Sequence, residues 1–199
     1  MKIKTHYVIA LEAYELIKQY IPVTFNERAL KIGASMPDLA PHRRFKGHNI
    51  KIAAREWKSF TDFVHRRQAT EFVMSYAAGM MSHYISDTFC YAHNFKHLTL
   101  REHRKYEVYM NKEAKVLRNE MDVRNIFKRW QVLKEKGVEG YIKLENELYK
   151  EEVARCRNRH DRVLLDLYEA ISHTAVWMLE IVNVTYPSYI EHQTVIQHV

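Results

Sequence analysis

The chain has 199 residues, a formal net charge of +7 and an isoelectric point near 9.3, with 12 histidines but only 2 cysteines. That length suits one domain, spanning 1–199, that buries a core without covalent staples. The two cysteines, Cys90 and Cys156, are far apart in sequence and follow no paired framework, which makes a reducing compartment the simpler inference and the cytoplasm the expected location.

Glycine and proline are sparse, 5 and 4 residues, and apolar side chains recur every three or four positions among Lys, Arg and Glu. This pattern predicts an all-α fold, a multi-helix bundle. A first helix is expected from about Thr5 to Tyr20, with Thr5 as N-cap and Pro22 beyond its end. The apolar run from Tyr7 to Leu11 is interrupted by Glu12 and Glu15, which excludes a signal peptide or a membrane span there. A short helix near Asn26 to Ile32 comes next. From Gly33 to His48, a stretch containing Pro37, Asp38, His42 and Gly47, the sequence predicts an irregular loop of the kind on which sites are built.

Further helices are expected over Ala53–Arg67 and over Gln68–Asp87, the latter apolar most of the way round and therefore central. Leu100–Glu120, Val123–Lys136, Glu139–Arg155 and Asp161–Val184 complete the set. The run from Ile181 to Thr185 is β-branched but continues a helical period. No repeat or linker divides the chain, and its basic residues, including Arg101 to Lys105 and Arg155 to Arg162, are dispersed among acids on helices.

Chemistry concentrates between His83 and Glu107. On a helix, residues i and i+4 share a face with Cβ atoms about 5–6 Å apart. His83 with Asp87, and His103 with Glu107, can therefore each converge on an ion, and His93 lies between them. Imidazole and carboxylate ligands with few thiols suit a zinc centre that keeps an open coordination position for water, as hydrolytic sites do. Cys90-Tyr-Ala-His93 is too short a pattern to name Cys90 a ligand. His65, His97, His160, His173, His192 and His198 show no ligand register, and His160-Asp161 lacks the flanking groups of a His-Asp phosphohydrolase.

The ordered set His83-x-x-x-Asp87, His93-Asn94-Phe95 and His103-x-Lys105-Tyr106-Glu107, preceded by Thr5-His6, Pro37-Asp38 and His48, resembles the ligand block of the bacterial zinc-dependent phospholipase C family, whose fold is shared with zinc-dependent single-strand nucleases. The resemblance covers His6 to Glu107. It implies one zinc held by His48, His83 and Asp87 with Asp38 adjoining, and a second held by His93, His103 and Glu107. A third site would combine Asp87, His6 and the amino terminus, where the family has tryptophan and this chain has Met1. His42 competes with His48, and Tyr91 replaces a proline common in the family.

The resemblance further implies hydrolysis of a phospholipid phosphodiester by metal-activated water, with Asp38 as the catalytic residue that orients or deprotonates that water. Such a substrate would be met by the domain's own surface in a transient membrane contact, for which Phe45, Trp57 and Phe89 are candidates, although aromatics of this kind are more often core than lipid contacts. A nuclease or other phosphodiesterase on the same metals is the nearest alternative, with nucleic acid as partner only in that case. A non-catalytic metal-binding helical protein is the alternative from another class.

Overall fold

The computed structural model describes residues 1–40, 50–67, 70–95, 98–114 and 121–186. Among them are eight α-helices and one 3-10 turn, and no strand. The helices are α1 (Ile3–Ile17), α2 (Glu27–Leu39), α3 (Ile50–Arg67), α4 (Glu71–Thr88), α5 (Tyr91–Asn94), α6 (Leu100–Glu113), α7 (Val123–Arg155) and α8 (Arg159–Thr185). None is long and apolar enough to cross a membrane.

α4 is the axis of the bundle and packs against α1, α2, α3 and α8. From Ala77 to Thr88 every residue of α4 is buried, the polar His83 and Asp87 included. Its tightest neighbour is α2, because Gly33 and Gly79 face each other. A Cβ on Gly33 would overlap the Tyr76 carbonyl oxygen, and one on Gly79 the Leu30 carbonyl oxygen. Backbone therefore lies against backbone, which small residues alone permit.

That contact also explains a correction. The predicted loop from Gly33 begins as helix, since α2 runs on through Leu39 with Pro37 inside it. Gly33 serves close packing rather than a turn. His42 and His48, the rest of that segment's candidates, lie outside the described residues.

At the chain start, α1 is headed by Lys2 rather than capped by Thr5. Thr5 is instead buried, its hydroxyl donating to Asn111 Oδ1 at 3.3 Å. α4 starts at a Thr70 cap and α6 at a Thr99/Glu102 capping box; α6 is described through Glu113, and residues 115–120 of the expected helix lie outside the described residues. α7 consists of two helical stretches, as expected over 123–136 and 139–155, separated at Gly137, whose φ 67° and ψ 170° are non-helical and lie in a backbone region essentially restricted to glycine. Ile181 to Thr185 is helical, as its period implies.

Two of the proposed lipid-contacting aromatics are core. Trp57 packs edge-on against Trp177 and Tyr141, and Phe89 stacks on the His173 ring at 3.7 Å; both are essentially inaccessible. Phe45 lies outside the described residues.

Candidate metal centre

Five elements bring the predicted residues together. α1 supplies His6, the end of α2 supplies Asp38, the end of α4 supplies His83 and Asp87, and α5 with α6 supplies His93, His103 and Glu107. His6, His83 and Asp87 offer donor atoms all within 4.8 Å of one another, and so do His93, His103 and Glu107. Asp87 joins the two groups: its Oδ2 lies 3.4 Å from His83 Nε2, and its Oδ1 lies 3.2 Å from His93 Nε2 and 3.7 Å from His6 Nε2. Asp38 Oδ1 is 3.6 Å from His83 Nε2 on the outer side.

The tautomers follow from hydrogen bonding. His83 Nδ1 lies 2.9 Å from the Ala34 carbonyl, which only accepts, so Nδ1 carries the proton and Nε2 presents its lone pair. The Ser86 hydroxyl donates to the His83 carbonyl and therefore accepts from His6 Nδ1 at 2.8 Å. His6 Nε2 is likewise left as a lone pair, buried and without a hydrogen bond. Burial, reinforced by the neighbouring His83, holds the His6 imidazole well below its usual pKa, so it is neutral as a ligand must be. The two rings stack with centroids 3.7 Å apart, which aligns both nitrogens on one side.

The second group is more open. His103 Nε2 is 3.0 Å from Glu107 Oε1, and His93 Nε2 is 4.0 Å from the same oxygen. Exposure rises from 0–1% at His6, His83 and Asp87 to 15–34% at Glu107, His93, His103 and Asp38. The cluster thus has a sealed inner wall and a solvent-facing outer one.

The Met1 amino group stands between the two groups, 3.0 Å from both Asp87 Oδ1 and His93 Nε2 and 3.2 Å from Glu107 Oε1. Burial disfavours its charge, but Asp87, with Cys90 and Glu107, outweighs this and pushes its pKa up to about 11. Two carboxylates, Asp87 and Glu107, face this ammonium, while Asp38 stands beside His83. Imidazole nitrogens and carboxylate oxygens converging in this way are the donor set that a divalent ion of the zinc type satisfies.

The outer ligand elements are held from behind by Asp166 of α8, which is fully buried. It accepts from the Tyr91 backbone N–H at 2.8 Å, the Tyr106 hydroxyl at 2.9 Å and the Tyr149 hydroxyl at 2.6 Å. Tyr91 opens the turn that bears His93, and Tyr106 lies between His103 and Glu107. A proline at position 91 could not donate the first of these bonds. Asn94 and Asn146 clamp the same turn by donating to the Thr88 carbonyl at 2.7 and 2.8 Å. Cys90 is buried there too, and burial with the adjacent Asp166 raises its thiol pKa well above normal, so it offers no thiolate.

A third group, Glu145, Glu169 and His173, also meets the spacing of a metal set. Its chemistry is different. Arg129 reaches Glu169 at 2.8 Å and Glu145 at 3.5 Å. Burial would raise the Glu169 pKa, but the His173 bond and the Arg129 charge hold it down to about 2. His173 Nε2 donates to that carboxylate at 3.0 Å and Nδ1 accepts from Tyr141 at 2.7 Å, leaving no lone pair for a metal. This is a buried ion network. The spacing Glu169-x-x-x-His173 equals that of the ligand block, so His173, expected to show no ligand register, does stand in one.

The family model described as zinc dependent phospholipase C matches residues 5–193. The chain belongs to this family. Comparison with curated proteins and with solved structures gives no match. For a zinc-dependent phospholipase C family member the inner and outer donor groups lie in the part of the chain that the match covers. His160 and Asp161, by contrast, diverge: His160 meets the Tyr109 hydroxyl at 3.1 Å, while the Asp161 N–H donates to the Asn158 cap.

Proposed function

We propose that the protein is a zinc-dependent phosphodiester hydrolase of phospholipase C type, cleaving the glycerol–phosphate bond of a phospholipid to leave a diacylglycerol and a phosphorylated headgroup. The observation that carries this reading is the continuous donor cluster from His6 to Glu107, closed on the core side and open at Asp38 and His103. Zinc, when bound, supplies Lewis-acid activation of water and neutralises charge on the phosphodiester.

The residues divide the remaining work. His83, Asp87, His93, His103 and Glu107 would hold the ions, with His48 joining the first set by the family resemblance and His6 available beside Asp87. Ala34 and Ser86 fix the imidazole tautomers. Asp38 would accept a proton from the attacking water, a role supported by its accessibility and its position 3.6 Å from His83. Asp166 keeps the outer ligands in register.

The test is zinc-loaded protein assayed against a phospholipid panel, a soluble phosphodiester and single-stranded nucleic acid, with metal content measured on the same sample. At least two zinc equivalents and release of phosphorylated headgroup are expected. Cleavage of nucleic acid alone would make it a nuclease, and bound zinc without any cleavage a non-catalytic metal protein. Protein that takes up no transition metal would refute the reading altogether.

A further inference from the structure

Helix α6 carries two opposed faces. One turns His103, Tyr106, Glu107 and Met110 inward. On the other, Arg101, Lys105, Val108 and Lys112 recur at four-, three- and four-residue spacing and so form one stripe, with Arg104 alongside. All five are exposed. Leu100, at the head of the stripe, is 84% exposed and Val108 45%. These residues line an open trough of about 760 Å³ whose far side is Arg159, at the start of α8.

Among the described residues, none of the cations Arg101, Arg104, Lys105, Lys112 and Arg159 forms an ion pair. The neighbouring acid Glu102 is turned back onto its own capping box, accepting from the Thr99 N–H at 2.8 Å. The face therefore presents unneutralised positive charge interleaved with exposed aliphatic side chains.

We infer that this face docks the protein on a membrane surface that contains anionic phospholipid. The cations match headgroup phosphates and carboxylates, while Leu100 and Val108 are placed to enter the boundary with the acyl chains. A single-stranded nucleic acid would need an open aromatic platform for its bases. The candidate, Tyr109, has the Arg159 guanidinium 4.9 Å over its ring and its hydroxyl engaged by His160. Docking by this face sets the metal-facing side of α6 one helix diameter, about 10 Å, from the lipid surface.

The inference does not depend on catalysis, because binding is read without turnover. The protein is sedimented with vesicles of phosphatidylcholine alone and of phosphatidylcholine with phosphatidylserine, at low and raised salt. Binding is expected to need phosphatidylserine and to weaken with salt. The pair Arg101→Glu/Lys105→Glu should lower the partition coefficient by roughly tenfold or more. Leu100→Ser should weaken binding while leaving its salt dependence in place. The control Lys136→Glu/Lys143→Glu makes the same change of net charge on exposed positions of α7 and should have little effect.

Equal binding to neutral vesicles, or equal loss in the α7 control, would overturn the inference. So would nucleic-acid binding that the α6 pair abolishes, in a protein that does not bind the vesicles. Vesicle binding by a protein that hydrolyses no phosphodiester would leave the docking face standing and refute the proposed activity.

Discussion

Asp87 is the residue on which both donor groups depend, since its two carboxylate oxygens face His83 on one side and His6 and His93 on the other. Single-ligand changes away from it should be more selective. His83→Ala and Glu107→Ala are each expected to lose about one zinc equivalent by elemental analysis and to lower the melting temperature, because the ions tie helices together. Unchanged zinc in either variant would remove that residue from the ligand set. Asp38→Asn separates holding from reacting: it should retain most of the zinc while phosphodiesterase turnover falls by about 10²-fold or more. Full activity in that variant would exclude Asp38 from proton transfer.

At the scale of elements, the α2–α4 contact sets where the inner ligands stand. His83 donates to Ala34 on α2, and Ala34 lies beside Gly79. Gly79→Ala would force backbone from backbone, at a cost of about 1–3 kcal/mol. It should also weaken zinc affinity, because the Ala34–His83 bond moves with the helices. Gly137→Ala is the contrasting case. An added Cβ meets nothing within 4 Å, so the cost is confined to its positive φ, again about 1–3 kcal/mol. Denaturant unfolding with a zinc titration would compare them, and Gly137→Ala should leave metal affinity unchanged. If both variants changed affinity alike, the α2–α4 contact would not be what positions the ligands.

For the whole molecule, stability is linked to pH and to metal. Burial pushes the Asp166 carboxyl up to about 7, against the downward pull of its bonds from Tyr149, Tyr91 and Tyr106. The unfolded chain releases this proton near pH 4, so the Asp166 contribution is fully present below that pH and is lost as pH rises through 7. Asp166→Asn removes the slope. Relative to wild type, the variant should therefore gain up to about 4 kcal/mol between pH 4 and 7, measured by denaturant unfolding at each pH. A difference that is flat or falls with pH would contradict this. His173, held down to about 4 by burial and then by the Arg129 charge, acts with the opposite sign, losing stability as pH falls from about 6.5 to 4. It is common to both proteins and cancels in the comparison. Chelation should lower the melting temperature by roughly 5 °C or more, since removing bound ions removes their linked stability.

The all-helical class was legible from periodicity, and the i,i+4 pairs His83–Asp87 and His103–Glu107 from the rise of a helix, because both are local properties. The same arithmetic applied to Glu169 and His173 leads to the wrong chemistry, since only the fold brings Arg129 against them and uses both imidazole nitrogens. Gly33 read as a turn because its role depends on Gly79, 46 positions later. Asp166 carried no local signal, as its three donors come from α5, α6 and α7. By itself the sequence determined which side chains share a helical face and which ligand types are available. Tertiary structure alone decided which faces meet, which imidazole nitrogen keeps its lone pair and which carboxylates already have a cation, because these depend on burial and on partners distant along the chain.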